Sequence, residues 1–408
     1  MTKLSQFEVM GLLIQLGTML IMGRLFAELA RKLKQPAVIG EILAGIILGP
    51  TILGMVNPAW FQSLFPAGSA SLVLDGFVQV AVVMLLFIAG LEVDLHIVLQ
   101  QGRQALYTSS LGLVIPFAIG FIIPYLFPTF FGSMDAGRHL AFALFMGTSM
   151  AITALPVIAR ILMDLNIFKS RMGMLVISSA MINDLIGWLI FSVVLGMIGK
   201  EQNLSVWNTV LFTVGFTAFM LTVGRWLINR GLPWVNKNLA WPGGLLSLAL
   251  ATCFLAAAYT EYLGIHAIFG AFIAGVALGD SQHLSERAKE IVHQFINNIF
   301  APLFFVSIGL KVNFIKNFDL TLTVVIIAIA FAGKIIGSGW GTRLGGFSWR
   351  ESMAAAFGMN ARGAMEIILG LVALDSGLIN ERVFVSLVIM ALVTSMTSGP
   401  LMKWMLKK

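Results

Sequence analysis

Thirteen predominantly apolar stretches, most near twenty residues and set apart by polar or Gly/Pro-rich breaks, follow one another along the 408 residues of this chain. They fall at roughly 7–26, 37–57, 72–93, 105–127, 139–160, 172–198, 207–229, 243–262, 264–280, 294–312, 320–343, 351–374 and 382–402. About 20 apolar residues of helix cross the ~30 Å of bilayer hydrocarbon, where every backbone N–H and C=O has to find its partner within the chain. The pattern predicts an all-α polytopic membrane protein of about thirteen transmembrane helices, read as a single transmembrane unit over 1–408. Charge density agrees: 58% of residues are apolar and 11% charged, with mean hydropathy +0.93, against about 25% charged in soluble domains. Water-soluble folds are excluded.

A net charge of +7 raises the question of nucleic acid, and the distribution of the cations answers it. Threading the chain through thirteen spans puts eighteen Lys and Arg on one side, among them Arg24, Arg31, Lys34, Lys169, Arg171, Arg225, Arg343, Lys407 and Lys408. Only Lys3, Arg138, Lys200, Lys311, Lys316 and Arg382 fall on the other. Basic loops face the cytoplasm. The N-terminus is therefore expected outside and the C-terminus inside a bacterial inner membrane, with lipid and no nucleic acid as surroundings. Gly11 to Met22 lacks the basic lead and small-residue cleavage site of a signal peptide, and reads as a retained span. Cys253 stands alone, so neither an intrachain disulfide nor a Cys-based metal site can form.

The two halves echo each other. Ala44-Gly45-Ile46-Ile47-Leu48-Gly49 recurs as Ala274-Gly275-Val276-Ala277-Leu278-Gly279, and Leu86-Phe87-Ile88-Ala89-Gly90-Leu91-Glu92-Val93-Asp94 as Phe304-Phe305-Val306-Ser307-Ile308-Gly309-Leu310-Lys311-Val312-Asn313, with one residue inserted before the glycine, in the same order. An odd number of spans separates the copies, so they enter the membrane from opposite sides, the mark of an inverted-topology repeat. Repeat one is placed at about 37–198 and repeat two at about 264–402.

Inverted-repeat transporters bind at the midplane, where interrupted helices expose backbone groups. Each half offers one interruption. In Thr148-Ser149-Met150-Ala151-Ile152-Thr153-Ala154-Leu155-Pro156, Pro156 removes a helical hydrogen bond and presses on the carbonyl one turn earlier. In Gly358-Met359-Asn360-Ala361-Arg362-Gly363, two glycines and an arginine interrupt an apolar run. Near the middle of the span 172–198 lies Asn183-Asp184. A charge at bilayer depth costs about 2.5 to 3.5 kcal/mol on insertion scales, and such residues mark ion or proton pathways. Lys334 and Arg362 are the two cations assigned to span interiors.

These residues resemble a known family. Gly40-Glu41-Ile42-Leu43-Ala44-Gly45 through Pro50, Phe87 through Asp94, Thr153-Ala154-Leu155-Pro156 through Leu162, Asn183-Asp184, Gly270 through Gly275 and Asn360-Ala361-Arg362-Gly363 are similar to the membrane domain of the monovalent cation:proton antiporter-2 family, within the sodium/proton exchanger superfamily. The resemblance implies the sodium/proton antiporter fold, with two broken helices crossing near an essential aspartate, Asp184. It also implies a homodimer, a core that moves like an elevator, and Lys334 opposite the aspartate. Electrogenic relatives carry two adjacent acids where this chain has Asn183-Asp184, and the asparagine form goes with electroneutral exchange. Many relatives append a cytoplasmic nucleotide-binding domain. None lies within this sequence, which stops at Lys408, and the removal of one is left open. A separate regulatory subunit is left open.

The chemistry follows from the residue types. An antiporter needs one site that holds either a cation or a proton and crosses only when occupied. Na⁺ and K⁺ are hard ions that take oxygen ligands, available as Asp184, the Asn183 amide, the Thr153 hydroxyl and the carbonyls freed before Pro156. These residues do not choose between Na⁺ and K⁺. Lys334 reads as the charge partner of Asp184, with release of its own proton during the cycle, and so electrogenic exchange, left open as the alternative. Arg362 and Glu366, four apart on one helical face, are placed to hold the crossing in shape with Ser149 and Pro156. A bland reading ties Asp184 permanently to Lys334 or Arg362. Glu41, Glu92 and Asp94 lie at span ends, where solvation explains them as well as an ion funnel does. His266 reads as a satisfied core histidine, and 280–293 as an amphipathic or solvated cytoplasmic linker between spans. A potassium channel would carry a carbonyl filter of the Thr-Val-Gly-Tyr-Gly type and an intramembrane protease a second facing aspartate. Neither occurs. No P-loop, zinc or nucleophile motif is present, so neither enzymatic activity nor a cofactor is expected, only transported Na⁺ or K⁺ and H⁺.

Overall fold

A computed structural model describes residues 4–33, 35–66, 68–93, 102–132, 136–168, 170–198 and 206–406. Asp94, Lys3, Lys34, Lys169, Lys200, Lys407 and Lys408, used in the reading above, lie outside the described residues. The described chain is helical, with no strand among the described residues. Its principal helices are α1 (Gln6–Lys32), α2 (Ala37–Leu48), α3 (Ser69–Leu91), α4 (Gly102–Leu126), α5 (His139–Ala151), α6 (Leu155–Asp164), α7 (Arg171–Ile198), α8 (Val206–Phe219), α9 (Arg225–Asn238), α10 (Gly243–Tyr262), α11 (Ala267–Gly279), α12 (Glu286–Lys311), α13 (Leu320–Leu344), α14 (Trp349–Met359), α15 (Ala364–Asp375) and α16 (Glu381–Leu406).

Among the described residues, eleven helical segments are long and apolar enough to cross a membrane, and the pair α14–α15, bent by 44° at its break, makes a twelfth. With the short apolar helix α11, they cover the thirteen segments expected. Two boundaries differ most. The segment expected to end at 229 continues to Asn238: Arg225, which looks like a loop residue, sits in α9 with its guanidinium 2.5 Å from Asp280, and Arg230 stacks on Trp226 at 5.1 Å. The linker expected over 280–293 is partly helical, because Ser285 accepts a hydrogen bond from the Ala288 N–H and starts α12 at Glu286. Ser-x-x-Glu capping boxes at Ser5/Glu8 and Ser348/Glu351 fix the starts of α1 and α14 in the same way.

The chain divides into two compact units. The first comprises Met1–Glu92, Phe219–Tyr259 and Gly270–Asn317. Its helices meet through glycines that let backbones touch. A Cβ on Gly45 would overlap the Val306 carbonyl, and one on Gly309 would strike the Gly45 backbone. Likewise a Cβ on Gly90 would overlap the Phe272 carbonyl and one on Gly275 the Phe87 carbonyl. The echoed motifs therefore pack crosswise: the 44–49 motif sits on the 304–310 motif, and the 274–279 motif on the 86–91 motif. Small residues at helix contacts are how membrane helices gain dispersion contact where lipid supplies no hydrophobic drive. In the same unit the His293 Nε2 donates to the Glu92 carboxylate at 3.1 Å.

The second unit comprises Val93–Ala218, Thr260–Phe269 and Phe318–Lys408. Here α13 lies along α4, with Gly333 and Gly337 against Pro116 and Gly341 against the Tyr107 carbonyl. At the end of α13 that begins with Leu320, Asp319 caps the helix through the Leu322 N–H (2.9 Å) and pairs with Arg382. Two interrupted helices, α5–α6 and α14–α15, pass each other in this unit.

Candidate functional site

The first interruption spans Ile152 to Ala154, with Leu155 and Pro156 opening α6. Pro156 therefore restarts a helix instead of bending one: it occupies the first turn, where its missing N–H costs nothing. The second interruption spans Asn360 to Gly363, between α14 and α15. The two are stitched together. The Ala154 N–H donates to the Ala361 carbonyl at 2.8 Å, and the Thr153 hydroxyl to the Met359 carbonyl at 2.8 Å.

Breaking α5 frees carbonyls at its end, and the chain's own cations occupy them. Arg362 donates to the Ser149 carbonyl and, at 2.8 Å, to the Met150 carbonyl. Its guanidinium also pairs with Glu366 at 3.1 Å, both groups fully buried. The Lys334 ammonium donates to the Ala151 carbonyl at 2.5 Å, to the Gly112 carbonyl at 3.0 Å and to the Thr153 hydroxyl at 2.8 Å. All three of its hydrogens have an acceptor. Ser395 of α16 donates to the Arg362 carbonyl, tying the second break to a further helix.

This differs from the expected ligand set. The Thr153 hydroxyl is engaged in both directions, as donor to Met359 and acceptor from Lys334, and three freed carbonyls are covered. Nothing in the local sequence signals this, because Lys334 and Arg362 reach their partners from 181 to 222 residues away.

Asp184 and Asn183 lie on α7, 1% and 0% exposed. One turn on, Gly187 lies so close to the Ile152 side chain at the first break that a Cβ there would overlap it, which sets the aspartate beside the crossing. Asp184, Glu366 and Arg362 all act electrostatically on the Lys334 ammonium. The Asn183 amide is buried with no hydrogen-bond partner among the described residues. The structure thus brings Asp184, Asn183, Thr153, Lys334, Ser149, Pro156, Arg362 and Glu366 into one unit around one crossing. Glu41 is buried on α2, in the other unit. His266 precedes α11, where its Nδ1 accepts weakly from the Ile268 N–H at 3.4 Å.

Comparison with known proteins gives a consistent set. A family model described as sodium/hydrogen exchanger, transmembrane, matches residues 17–408. The chain is 32% identical over 394 residues to the Na(+)/H(+) antiporter NhaS4 of Synechocystis, covering 96% of this chain and 95% of that protein. It is 30% identical to the Na(+)/H(+)-K(+) antiporter GerN of Bacillus cereus, with 96% and 95% coverage. It is 32% identical to K(+)/H(+) antiporter 1 of Saccharomyces cerevisiae over 90% of this chain but 43% of the yeast protein. The chain spans about half the length of the yeast and plant relatives it matches. In fold it is similar to the sodium proton antiporter MjNhaP1 of Methanocaldococcus jannaschii, with a TM-score of 0.68 over 97% of each chain at 17% identity.

Proposed function

We propose that this chain, which belongs to the transmembrane sodium/hydrogen exchanger family, exchanges a monovalent cation, Na⁺ or K⁺, for a proton across a membrane by alternating occupancy of Asp184. The observation that carries the reading is a fully buried carboxylate on α7 beside a crossing of two broken helices. Arg362 is held by two carbonyls and Glu366. Lys334 is held by three acceptors. A neutral amine has only two N–H groups and would leave one of those acceptors empty, so the geometry favours the charged lysine throughout the cycle. Asp184 is then the group that exchanges its proton for a cation.

With Lys334 and Arg362 positive and Glu366 and Asp184 negative, the four buried charges sum to zero when Asp184 is empty. One bound cation or one bound proton each raises the sum by one, so the two half-cycles carry equal charge and exchange is electroneutral, one for one. Empty return is opposed by the local cost of an ionised carboxylate in hydrocarbon, and not by the net charge of the unit. The elevator movement, the homodimer, the inverted repeat over 37–198 and 264–402, and the outside N-terminus belong to the same proposal. The crosswise packing of the echoed glycine motifs supports the repeat, since a pseudo-two-fold axis would map one of the two pairings onto the other.

The test is direct. Proteoliposomes enclosing a pH dye are pulsed in turn with Na⁺, K⁺ and choline. Interior alkalinisation is expected with an alkali ion and not with choline, and is expected to vanish in Asp184→Asn, which keeps size and polarity but removes the titrating group. Alkalinisation by none of the alkali ions overturns the antiport reading. Full exchange by the folded Asp184→Asn protein moves the coupling site elsewhere.

A further inference from the structure

Once the acceptors at the crossing are assigned, the transported cation is short of oxygen. A hard monovalent ion takes several oxygen donors when it sheds water, and one carboxylate with one amide supplies few. The backbone donors that the first break would offer are covered, the Ser149 and Met150 carbonyls by Arg362 and the Ala151 carbonyl by Lys334, which also holds the Thr153 hydroxyl; the Ser149 hydroxyl is buried with no hydrogen-bond partner among the described residues.

The second break offers Asn360. Its side chain is fully buried, and neither its amide oxygen nor its amide nitrogen has a hydrogen-bond partner among the described residues. Asn183 is in the same condition. Buried polar groups in native proteins are nearly always satisfied, so two such amides in one unit call for an occupant. Their placement agrees. Asn360 caps the C-terminus of α14, where the partial negative charge of the helix end favours a cation. Its two chain neighbours make the bonds across the breaks, Met359 from the Thr153 hydroxyl and Ala361 from the Ala154 N–H, so its backbone is pinned on both sides. Those neighbours also share a packed cluster with Ala180 and Met181 of α7, a turn or less before Asn183 and Asp184.

We propose that Asn360 is a ligand of the transported cation. Its amide oxygen completes, with the Asp184 carboxylate and the Asn183 amide, an oxygen set drawn from α7 and the second break, and sets the preference among alkali ions. The proposal rests on Asp184 being the cation site. A neutral oxygen fits the charge count above, because it adds a ligand without adding a charge and leaves the exchange one for one.

The experiment compares the full chain with Asn360→Ala, Asn360→Asp and Asp184→Asn in proteoliposomes, reading the half-saturating concentrations of Na⁺, K⁺ and Li⁺, the maximal rate and the pH profile at saturating cation. A ligand's loss shows as weaker binding with little change in maximal rate. Asn360→Ala is therefore expected to raise the half-saturating concentration about tenfold, unequally among the ions, with the saturated pH profile unmoved. Asn360→Asp keeps an oxygen and recovers affinity. An equal fall in rate for every ion, at unchanged half-saturation, overturns the proposal and leaves Asn360 a structural residue satisfied by water. Should Asn360→Ala yield no monodisperse protein, Asn360→Asp decides alone: a changed Na⁺ to K⁺ preference supports a ligand, and an unchanged one overturns it. Exchange that survives in Asp184→Asn refutes the reading of Asp184 instead, a separate outcome.

Discussion

Replacing Lys334 tests whether its ammonium holds the crossing together. Lys334→Met keeps most of the side-chain volume, so the change is confined to the hydrogen bonds and the charge. The Gly112 and Ala151 carbonyls lose their donor, and a buried acceptor left unsatisfied costs about 1–3 kcal/mol. Thr153 keeps its bond to Met359 and loses less. Asp184 and Glu366 lose a positive charge that acts on both, and stripping one partner from a buried charge group costs about 3–5 kcal/mol. These overlap, since the charge acts partly through the same bonds. The ammonium's own desolvation is recovered, which trims the upper end. A net loss of about 3–5 kcal/mol is expected for Lys334→Met, and about 2 kcal/mol more for Lys334→Ala, which adds a cavity. Thermal unfolding of purified protein in detergent reads the order parent, Met, Ala. A Lys334→Met protein that melts with the parent would refute the structural role. If it also failed to transport, Lys334 would be a proton carrier and the one-for-one count would fall.

The crosswise packing predicts that Gly275→Val, whose Cβ meets the Phe87 carbonyl, costs at least the ~1–3 kcal/mol of an overpacked core. It should sharply reduce the yield of monodisperse protein, whereas Gly17→Val, with open space around it, should not. Asp319 lies outside the spans, and its carboxyl is held below the usual carboxylate range by the Leu322 N–H it accepts from, with Arg382 adding to the effect. Its contribution to stability is therefore present above the ordinary carboxylate range and lost as pH falls through the lowered value. Asp319→Ala should cost about 1 kcal/mol near neutrality, with the gap in melting temperature to the parent closing as the medium is acidified. Electroneutral exchange predicts a rate independent of imposed voltage, since one net charge would couple at about 2.3 kcal/mol per 100 mV. Na⁺ flux into liposomes clamped with valinomycin checks it, and a steep rise at inside-negative potential contradicts it.

The sequence carries the spans well, because hydrocarbon forces each crossing to be a long apolar helix and that pattern is local. Pro156 and the Gly358–Gly363 pair mark both breaks for the same reason: proline and glycine act on the backbone beside them. Asp184 stands out because few residues bear a charge at that depth. What the chain does not display is pairing. Thr153 looks like a free hydroxyl until Lys334 is found on it, and the carbonyls of Ser149 and Met150 look open until Arg362 fills them. Asn360 reads as one more polar residue in a break, and only its burial without a partner sets it apart. The echo of the glycine motifs is visible in one dimension, whereas the exchange of partners between copies needs the third.

That exchange bears on how the protein is made. The face of α2 around Gly45 and Gly49 closes on Val306 and Gly309, about 260 residues further along the chain. At about 5–20 residues per second of synthesis, α2 waits some 13 to 50 seconds in the bilayer before its partner is translated. Through that interval its glycine notch faces lipid, or a passing helix. The first unit cannot be finished early, and nascent chains arrested before α12 emerges should be the ones that quality-control proteases remove.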